Sequence, residues 1–159
     1  IDSTYKEYIF KFFDFHPSAS EGDMSVQADT GTNTSYNQTI TSTYFFASHR
    51  EDDTLSTPTE FTYYTSGDLA ESTNFHTISQ DTTNAAADQT MAGTFRVFDP
   101  SSTTFVKHFL SETNSYQGIR THHGFTAGYF NTTSALTRFQ FKFSSGNMDS
   151  GTIKMYGVT

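Results

Sequence analysis

The chain lacks cysteine and tryptophan, and it has only three prolines in 159 residues. Without cysteine there is no disulfide, no thiolate nucleophile and no metal site with sulfur ligands. No run of about 18 apolar residues occurs either, which predicts that no hydrophobic helix inserts into a membrane. Any function has to rest on oxygen, nitrogen and aromatic side chains.

Basic residues are also scarce in this sequence. Nine Lys and Arg stand against 17 Asp and Glu, which gives a formal net charge of -8 at pH 7. Nucleic-acid binding depends on clustered Lys and Arg that neutralise phosphates, whereas the basic residues here are scattered along the chain. The charge balance therefore predicts no nucleic-acid partner.

Aliphatic residues are few, and aromatic residues take their place. Only 34% of the chain is apolar, but it contains 17 Phe and 9 Tyr, and each such ring can bury a large area. Serine and threonine are abundant, and threonine with aromatic residues is typical of β-structure. The length suits one domain. The composition predicts a single all-β domain over residues 1–159 with a core of Phe and Tyr.

Two neighbouring segments show the strand pattern most clearly. Thr137–Phe143 places three phenylalanines on one face and three polar residues on the other, which is the period of two of a half-buried strand. Thr152–Val158 alternates in the same way, with Ile153 and Met155 on one face. Because only Ser144–Gly151 separates the two strands, the sequence predicts an antiparallel hairpin.

Glycines bracket this connection in the pattern Gly-x-x-x-x-Gly-Thr, from Gly146 to Thr152. A phosphate-binding P-loop needs a lysine before that threonine and a helix after it. Here no lysine precedes Thr152, and a strand follows it. The glycines instead suit turn conformations with positive φ. The connection is predicted to be a structural turn that holds no cofactor.

A further strand is predicted at Tyr5–Phe15, where Tyr8, Phe10 and Phe12 share one face. The other face is partly apolar, which indicates either a central strand or a strand beneath another layer. Pro17 ends the pattern, because proline donates no hydrogen bond to a sheet.

Short segments of the strand type, separated by turn residues, continue along the chain and make about nine or ten strands. This spacing predicts an antiparallel β-sandwich that is jelly-roll-like. One segment, Asp81–Gly93, contains three consecutive alanines and could form a helical turn, although a loop fits its polar flanks as well. The other predicted strands are Met24–Asp29, Ser42–His49, Thr59–Thr65, Asn74–Ser79, Gly93–Asp99, Thr103–Leu110 and Phe125–Asn131.

Carboxylates cluster in one segment, where Glu51, Asp52 and Asp53 follow His49 and Arg50. Calcium prefers several oxygen ligands, so these three residues are candidate calcium ligands. The spacing of an EF-hand is absent, and a solvated charged loop is the favoured interpretation. The six histidines show neither the i, i+4 nor the i, i+2 spacing of a local metal site.

Two aromatic groups are candidates for contact with another molecule. They occur in the segments Thr43–Phe46 and Thr62–Tyr64, in which neighbouring rings point to opposite faces of a strand. Exposed Tyr and Phe are enriched at subunit interfaces, which is the favoured interpretation. Stacking on a sugar is the alternative. The candidate residues are Tyr44, Phe46, Tyr63 and Tyr64.

No pattern of catalytic residues is present in the sequence. The Gly-x-Ser-x-Gly turn of a serine hydrolase does not occur. The carboxylates show no spacing that indicates a glycosidase pair, which must face each other across a sugar. The sequence therefore predicts no enzyme, no catalytic residue and no cofactor.

Three segments share a further pattern: Tyr5–Ser18 (YKEYIFKFFDFHPS), Asp99–Phe109 (DPSSTTFVKHF) and Phe139–Val158, which contains SSGNMDSGTIKMYGV. They resemble virion structural proteins of tailed bacteriophages, especially marine ones. In those proteins a segment of the form sGnidsGtikLYGi often ends the chain. Met148 and Met155 stand where that pattern has aliphatic residues.

The resemblance implies a non-enzymatic β-sandwich at the surface of a virion. The expected role is a domain of a fibre or other appendage that attaches to the host. Such a domain is expected to form a homo-oligomer, with a trimer favoured, to contact other virion proteins and to have a host surface glycan as a candidate ligand. One alternative is a capsid decoration protein that stabilises the head shell. Another, from a different class, is a carbohydrate-binding module.

Overall fold

Strands form where aromatic and polar residues alternate, because the two faces of a strand then meet core and water in turn. The computed structural model describes residues 1–19, 21–54, 61–82 and 86–159. These residues contain ten strands and one 3-10 turn at Thr65–Gly67. The strands are β1 (Glu7–Pro17), β2 (Gly22–Thr30), β3 (Ile40–Arg50), β4 (Phe61–Tyr63), β5 (His76–Thr82), β6 (Met91–Phe98), β7 (Lys107–Tyr116), β8 (Arg120–Phe130), β9 (Leu136–Phe143) and β10 (Met148–Val158).

The ten strands divide between two sheets. The larger sheet has the order β10-β1-β6-β7-β8-β3-β4, and the smaller has the order β5-β2-β9. Neighbouring strands are antiparallel throughout the described part of both sheets. The antiparallel β-sandwich predicted from the sequence is thus confirmed.

Aromatic side chains from both sheets fill the space between them. Phe10 and Phe12 of β1 meet Phe141 of β9, with ring centroids 5.0 and 5.1 Å apart. Phe95 of β6 lies 5.7 Å from the same ring. The predicted core of Phe and Tyr is therefore present. Its buried members are Tyr8, Phe10, Phe12, Phe15, Met24, Val26, Ala28, Ile40, Ile78, Met91, Phe95, Val97, Phe109, Phe130, Leu136 and Phe143.

β1 is a central strand, which is one of the two interpretations that its sequence pattern left open. It lies between β10 and β6 in the larger sheet. Tyr8, Phe10 and Phe12 are buried on its inner face, as predicted, while Lys11 and Phe13 on its outer face are exposed. The apolar character of the outer face therefore does not indicate a further covering layer among the described residues.

β9 and β10 do not form the predicted hairpin. β9 belongs to the smaller sheet, where Phe139 lies opposite Ala28 of β2. β10 belongs to the larger sheet, where Met155 lies opposite Phe10 of β1. The connection at residues 144–147 thus passes from one sheet to the other. Alternation shows which residues share a face, but it does not show which strand supplies the partner.

Two predicted segments lie partly outside the described residues. Of Thr59–Thr65, the described part contains β4 and the beginning of the 3-10 turn. Of Asp81–Gly93, the described part contains the end of β5, a turn and the beginning of β6. That described part forms no helix, so the loop alternative fits it better.

β10 forms one edge of the larger sheet. The nearest rings of the smaller sheet, Phe139 and Phe141 of β9, pack against Phe10 and Phe95 on β1 and β6. β10 lies beyond those contacts, and all 11 of its residues are exposed. Both faces of this strand and its outer edge are therefore open.

A substitution at Gly151 tests the backbone conformation of β10. The φ of Gly151 is +130°, and an added Cβ would lie 2.9 Å from the ring of Phe15. We expect Gly151→Val to lower the free energy of unfolding by about 1–3 kcal/mol, because a side chain strains this conformation. Chemical denaturation measures the change. Thr152→Val on the same strand is the control, and equal stability of the two variants would contradict the prediction.

Candidate functional surface

The predicted calcium ligands point to different partners. Arg50 donates two hydrogen bonds of 3.1 Å to the Asp52 carboxylate, and Thr54 donates two more. The hydrogen bonds from Arg50 and then Thr54 hold the pKa of Asp52 below its usual value. Asp53 instead lies 3.3 Å from His49. In the described ranges no three acidic or His residues are grouped as a metal site, so Glu51, Asp52 and Asp53 do not converge here.

The predicted aromatic candidates divide between the interior and the surface. Tyr44 is fully buried, and its hydroxyl lies 3.3 Å from His122 Nε2. Phe46 and Tyr64 are half-buried and pack against Tyr44, at 6.3 and 5.8 Å between centroids. Tyr63 is 58% exposed. The expectation of exposed rings is wrong for Tyr44, because Tyr64 and the 3-10 turn at Gly67 pack over its ring.

The outer face of the larger sheet carries a different set of rings. Phe45 of β3 stacks on Phe125 of β8, with centroids 5.2 Å apart and planes 16° apart. Phe61 of β4 lies 5.4 Å from Phe45, and Tyr63 lies opposite Phe45 in the sheet. We call Phe45, Phe61, Tyr63 and Phe125 the outer aromatic patch. Of the predicted candidates, the patch contains Tyr63.

A shallow depression of about 330 Å³ adjoins the patch, and Phe45, Phe125 and Leu110 are among the residues that line it. Charged residues also lie along it. Arg96 donates a 2.5 Å hydrogen bond to Glu7, which raises the pKa of Arg96 and keeps it cationic. The depression thus combines an apolar floor with polar groups at its rim, which is the usual character of a ligand site.

A second polar pair borders the same face. The His123 ring lies 4.1 Å from the ring of Phe125. Its Nε2 lies 2.9 Å from Glu112 Oε1. This contact fixes the imidazole beside the outer aromatic patch, where it adds a hydrogen-bonding group.

Sequence reasoning missed Phe45 and Phe125 as surface residues. The run Tyr44–Phe46 has aromatic residues on both faces of a strand, so alternation alone could not show which face is covered. A usable signal was the segment Phe125–Asn131, in which Phe125 and Tyr129 are both odd-numbered and share a face. Only the pairing of β3 with β8, which sets Phe45 opposite Phe125, brings the two rings together.

Two buried histidines link polar groups within the core. His76 of β5 contacts the hydroxyl groups of Ser42 and Thr126 on the opposite sheet, and its Nδ1 lies 3.1 Å from Ser42 Oγ. Burial lowers the pKa of His76 to about 3 and that of His122 to about 4. Both rings are therefore neutral at pH 7, and His76 joins the two sheets by hydrogen bonds.

Two buried charged residues organise loops. Lys107 donates hydrogen bonds to the carbonyls of Phe105 and Thr132, at 2.8 and 3.0 Å. Asp29 accepts a hydrogen bond from the N–H of Tyr36 at 2.9 Å. Burial alone would raise the pKa of Asp29, but its backbone hydrogen bonds outweigh that effect and lower the pKa. Both residues satisfy backbone groups, which assigns them a structural role.

No family model matches the chain, and no significant match was found among curated proteins or solved structures. Within the described residues, no helix has the length and apolar character needed to cross a membrane. The surfaces described above therefore have to be interpreted from their own geometry.

Proposed function

We propose that the chain is a non-enzymatic structural domain at the surface of a bacteriophage particle, within a fibre or another appendage that contacts the host. The observation that carries the proposal is the position of the three phage-like segments. Tyr5–Ser18 contains β1, and Phe139–Val158 contains β10, which pairs with β1 from Glu7 to Pro17. Segments that resemble one family thus contribute two paired, neighbouring strands at one side of the larger sheet.

The middle segment joins the same region. The N–H of Asp99 donates a 2.5 Å hydrogen bond to the carbonyl of Lys6. The Lys6 ammonium group in turn lies 3.1 Å from the Asp99 carboxylate. The Lys107 side chain, near the end of this segment, holds the preceding loop through the carbonyl of Phe105. The shared pattern is therefore spatially connected, which supports a common structural origin.

The proposal is tested on purified particles of the phage that encodes the chain. We expect mass spectrometry to find the protein in the particle, and immunogold labelling to place it on the tail or its fibres. Labelling over the whole head at the positions of the capsid lattice would instead support the capsid decoration protein. Absence of the chain from particles would overturn both assignments.

Attachment to the host is tested separately from presence in the particle. We expect the purified chain to compete with the phage for adsorption to host cells. Light scattering of the purified chain measures whether it forms a homo-oligomer, and a trimer would favour a fibre domain. A chain that is present in particles but does not compete for adsorption would retain a structural role and lose the attachment role.

A carbohydrate-binding module is the second candidate, because the outer aromatic patch exposes apolar rings beside polar groups. Phe45 and Phe125 stack on each other, and the neighbouring Phe61 and Tyr63 are 63% and 58% exposed. Arg96 and Glu112 line the adjoining depression. A pyranose ring has an apolar face and a rim of hydroxyl groups, which matches this combination. The same site would serve a fibre domain that recognises a host surface glycan.

We expect Phe125→Ala to weaken glycan binding about tenfold or more, because it removes a central stacking ring. A glycan array first identifies a bound sugar, and titration calorimetry then gives the affinities. Phe105→Ala is the matched control, since Phe105 is a 70% exposed ring outside the patch. Absence of binding to every sugar at millimolar concentration would exclude the module.

A further inference from the structure

The strand β10 presents apolar side chains at a sheet edge. On its inner face Ile153 is 40% exposed and Met155 is 54% exposed. On its outer face Tyr156 is 45% exposed. Natural edge strands are usually short, charged or covered, because an open edge pairs with other chains. β10 has 11 residues and is neither short nor covered among the described residues.

The backbone of β10 has alternate groups that point away from β1. The carbonyl of Val158 accepts a 3.0 Å hydrogen bond from Lys6, so the backbone groups of Val158 face the side of β1. Because successive residues of a strand face opposite neighbours, those of Gly157, Met155 and Ile153 face outward. No described strand lies on that side. The outward groups form a regular template for another extended chain.

The lysine at this edge does not block such a partner. Lys154 lies over the ring of Phe13 on β1, with its Nζ 5.4 Å from the ring centroid. The side chain therefore leans back over the larger sheet and leaves the edge beside Met155 open. Lys11 lies over Tyr156 in the same way, at 5.4 Å.

We propose that β10 pairs antiparallel with β10 of a second copy of this chain, about a two-fold axis at Met155. This axis sets Met155 against Met155 of the other copy, and Ile153 against Gly157. The ring of Tyr5 covers Gly157, so Ile153 meets an aromatic surface there. On the outer face Lys154 lies opposite Tyr156 of the other copy, twice by symmetry, so that no like charges face each other across the pair.

A second copy fits better than an unrelated strand because β10 is complementary to itself. With the axis at Met155, the outward-facing residues Ile153, Met155 and Gly157 pair only with one another, so their backbone groups meet in register. An axis at Lys154 would set two ammonium groups directly opposite each other, which is unfavourable. Two-fold symmetric dimers are also the commonest protein assemblies. The inference concerns the isolated chain and does not depend on the proposed role in a virion.

The mass of the chain in solution tests this pairing. Sedimentation equilibrium of the purified protein should give a dimer of the 17.8 kDa chain at micromolar concentration. Met155→Lys should raise the dimer dissociation constant at least tenfold, because it sets two cations opposite each other. Leu110→Lys is the control, since Leu110 is 45% exposed on β7 and away from this edge. A monomeric wild type, or an assembly that Met155→Lys leaves unchanged, would overturn the proposal.

Crosslinking tests the register, and the absence of native cysteine simplifies it. Paired residues of antiparallel strands have Cα atoms about 5.5 Å apart, within reach of a disulfide. Met155→Cys should therefore form a covalent dimer under mild oxidation, while Leu110→Cys should not. Faster crosslinking of Ile153→Cys than of Met155→Cys would overturn the axis at Met155. Circular dichroism spectra show that each variant is folded.

Discussion

Replacing Phe95 with alanine is expected to lower the free energy of unfolding by about 3–5 kcal/mol, the usual cost of removing a buried aromatic ring. Phe95 is fully buried on β6, in the middle of the larger sheet. Its ring lies 5.4 Å from Phe109 within that sheet and 6.0 and 5.7 Å from Phe139 and Phe141 across the core. Its removal would leave a cavity where both sheets meet, because backbone pairing on both sides of β6 prevents collapse.

Urea denaturation followed by circular dichroism measures this change. Phe61→Ala is the matched control, because Phe61 is also a strand phenylalanine but is 63% exposed. We expect that variant to lose less than about 1 kcal/mol. If the two substitutions cost the same free energy, the contacts between Phe95 and the smaller sheet would not be a main source of stability.

Acidification from pH 7 to pH 4 is expected to destabilise the protein, and His76 alone should contribute about 3 kcal/mol. Burial lowers the pKa of His76 to about 3 in the folded state, whereas an unfolded histidine has a pKa of about 6.5. Between these values the unfolded chain binds the proton and the folded chain does not. The contribution is therefore fully present above pH 6.5 and is lost as the pH falls toward 3. His122, with a pKa of about 4, acts in the same direction.

The measurement is the free energy of unfolding at several pH values for His76→Gln and the unchanged chain. The variant should be less stable at pH 7, because it disturbs the contacts with Ser42 and Thr126. It should nevertheless lose less stability between pH 7 and pH 4. His49→Gln is the matched control, since it replaces an exposed histidine and leaves the buried ring of His76 in place. A variant His76→Gln with an unchanged pH dependence would show that burial of this ring does not govern acid sensitivity.

The strands and their inner faces could be predicted from the sequence, since they depend on local alternation. β1 and β9 illustrate this, because Phe10 and Phe12 face inward as expected, and so does Phe143. The pairing of strands could not be predicted in the same way. β9 and β10 adjoin in sequence, yet each finds its partner far along the chain, in β2 and β1. Which strands pair depends on how much apolar surface the whole fold buries, and the sequence of a single segment does not contain that information.

The candidate surface was predicted less well than the fold. Tyr44, Phe45 and Phe46 are consecutive aromatic residues of one strand, and their period of two is clear. Which face meets the core depends on the position of the smaller sheet, which covers only part of the larger one. Near Tyr44, the ring of Tyr64 and the 3-10 turn at Gly67 pack over the inner face of β3. Tyr44 and Phe46 therefore face inward against Tyr64, and Phe45 faces the outer surface.

The pairing of β1 with β10 also bears on how the chain folds. Glu7 lies opposite Val158, so this contact closes a loop that includes nearly all of the described strands. Closing so long a loop costs more conformational entropy than closing a local hairpin, and such topologies fold slowly. During synthesis, β1 can pair with β6 well before β10 has left the ribosome. Until then the other edge of β1, beside which Phe13 lies, is open to association with other chains. A chaperone or rapid completion of the chain would protect this edge.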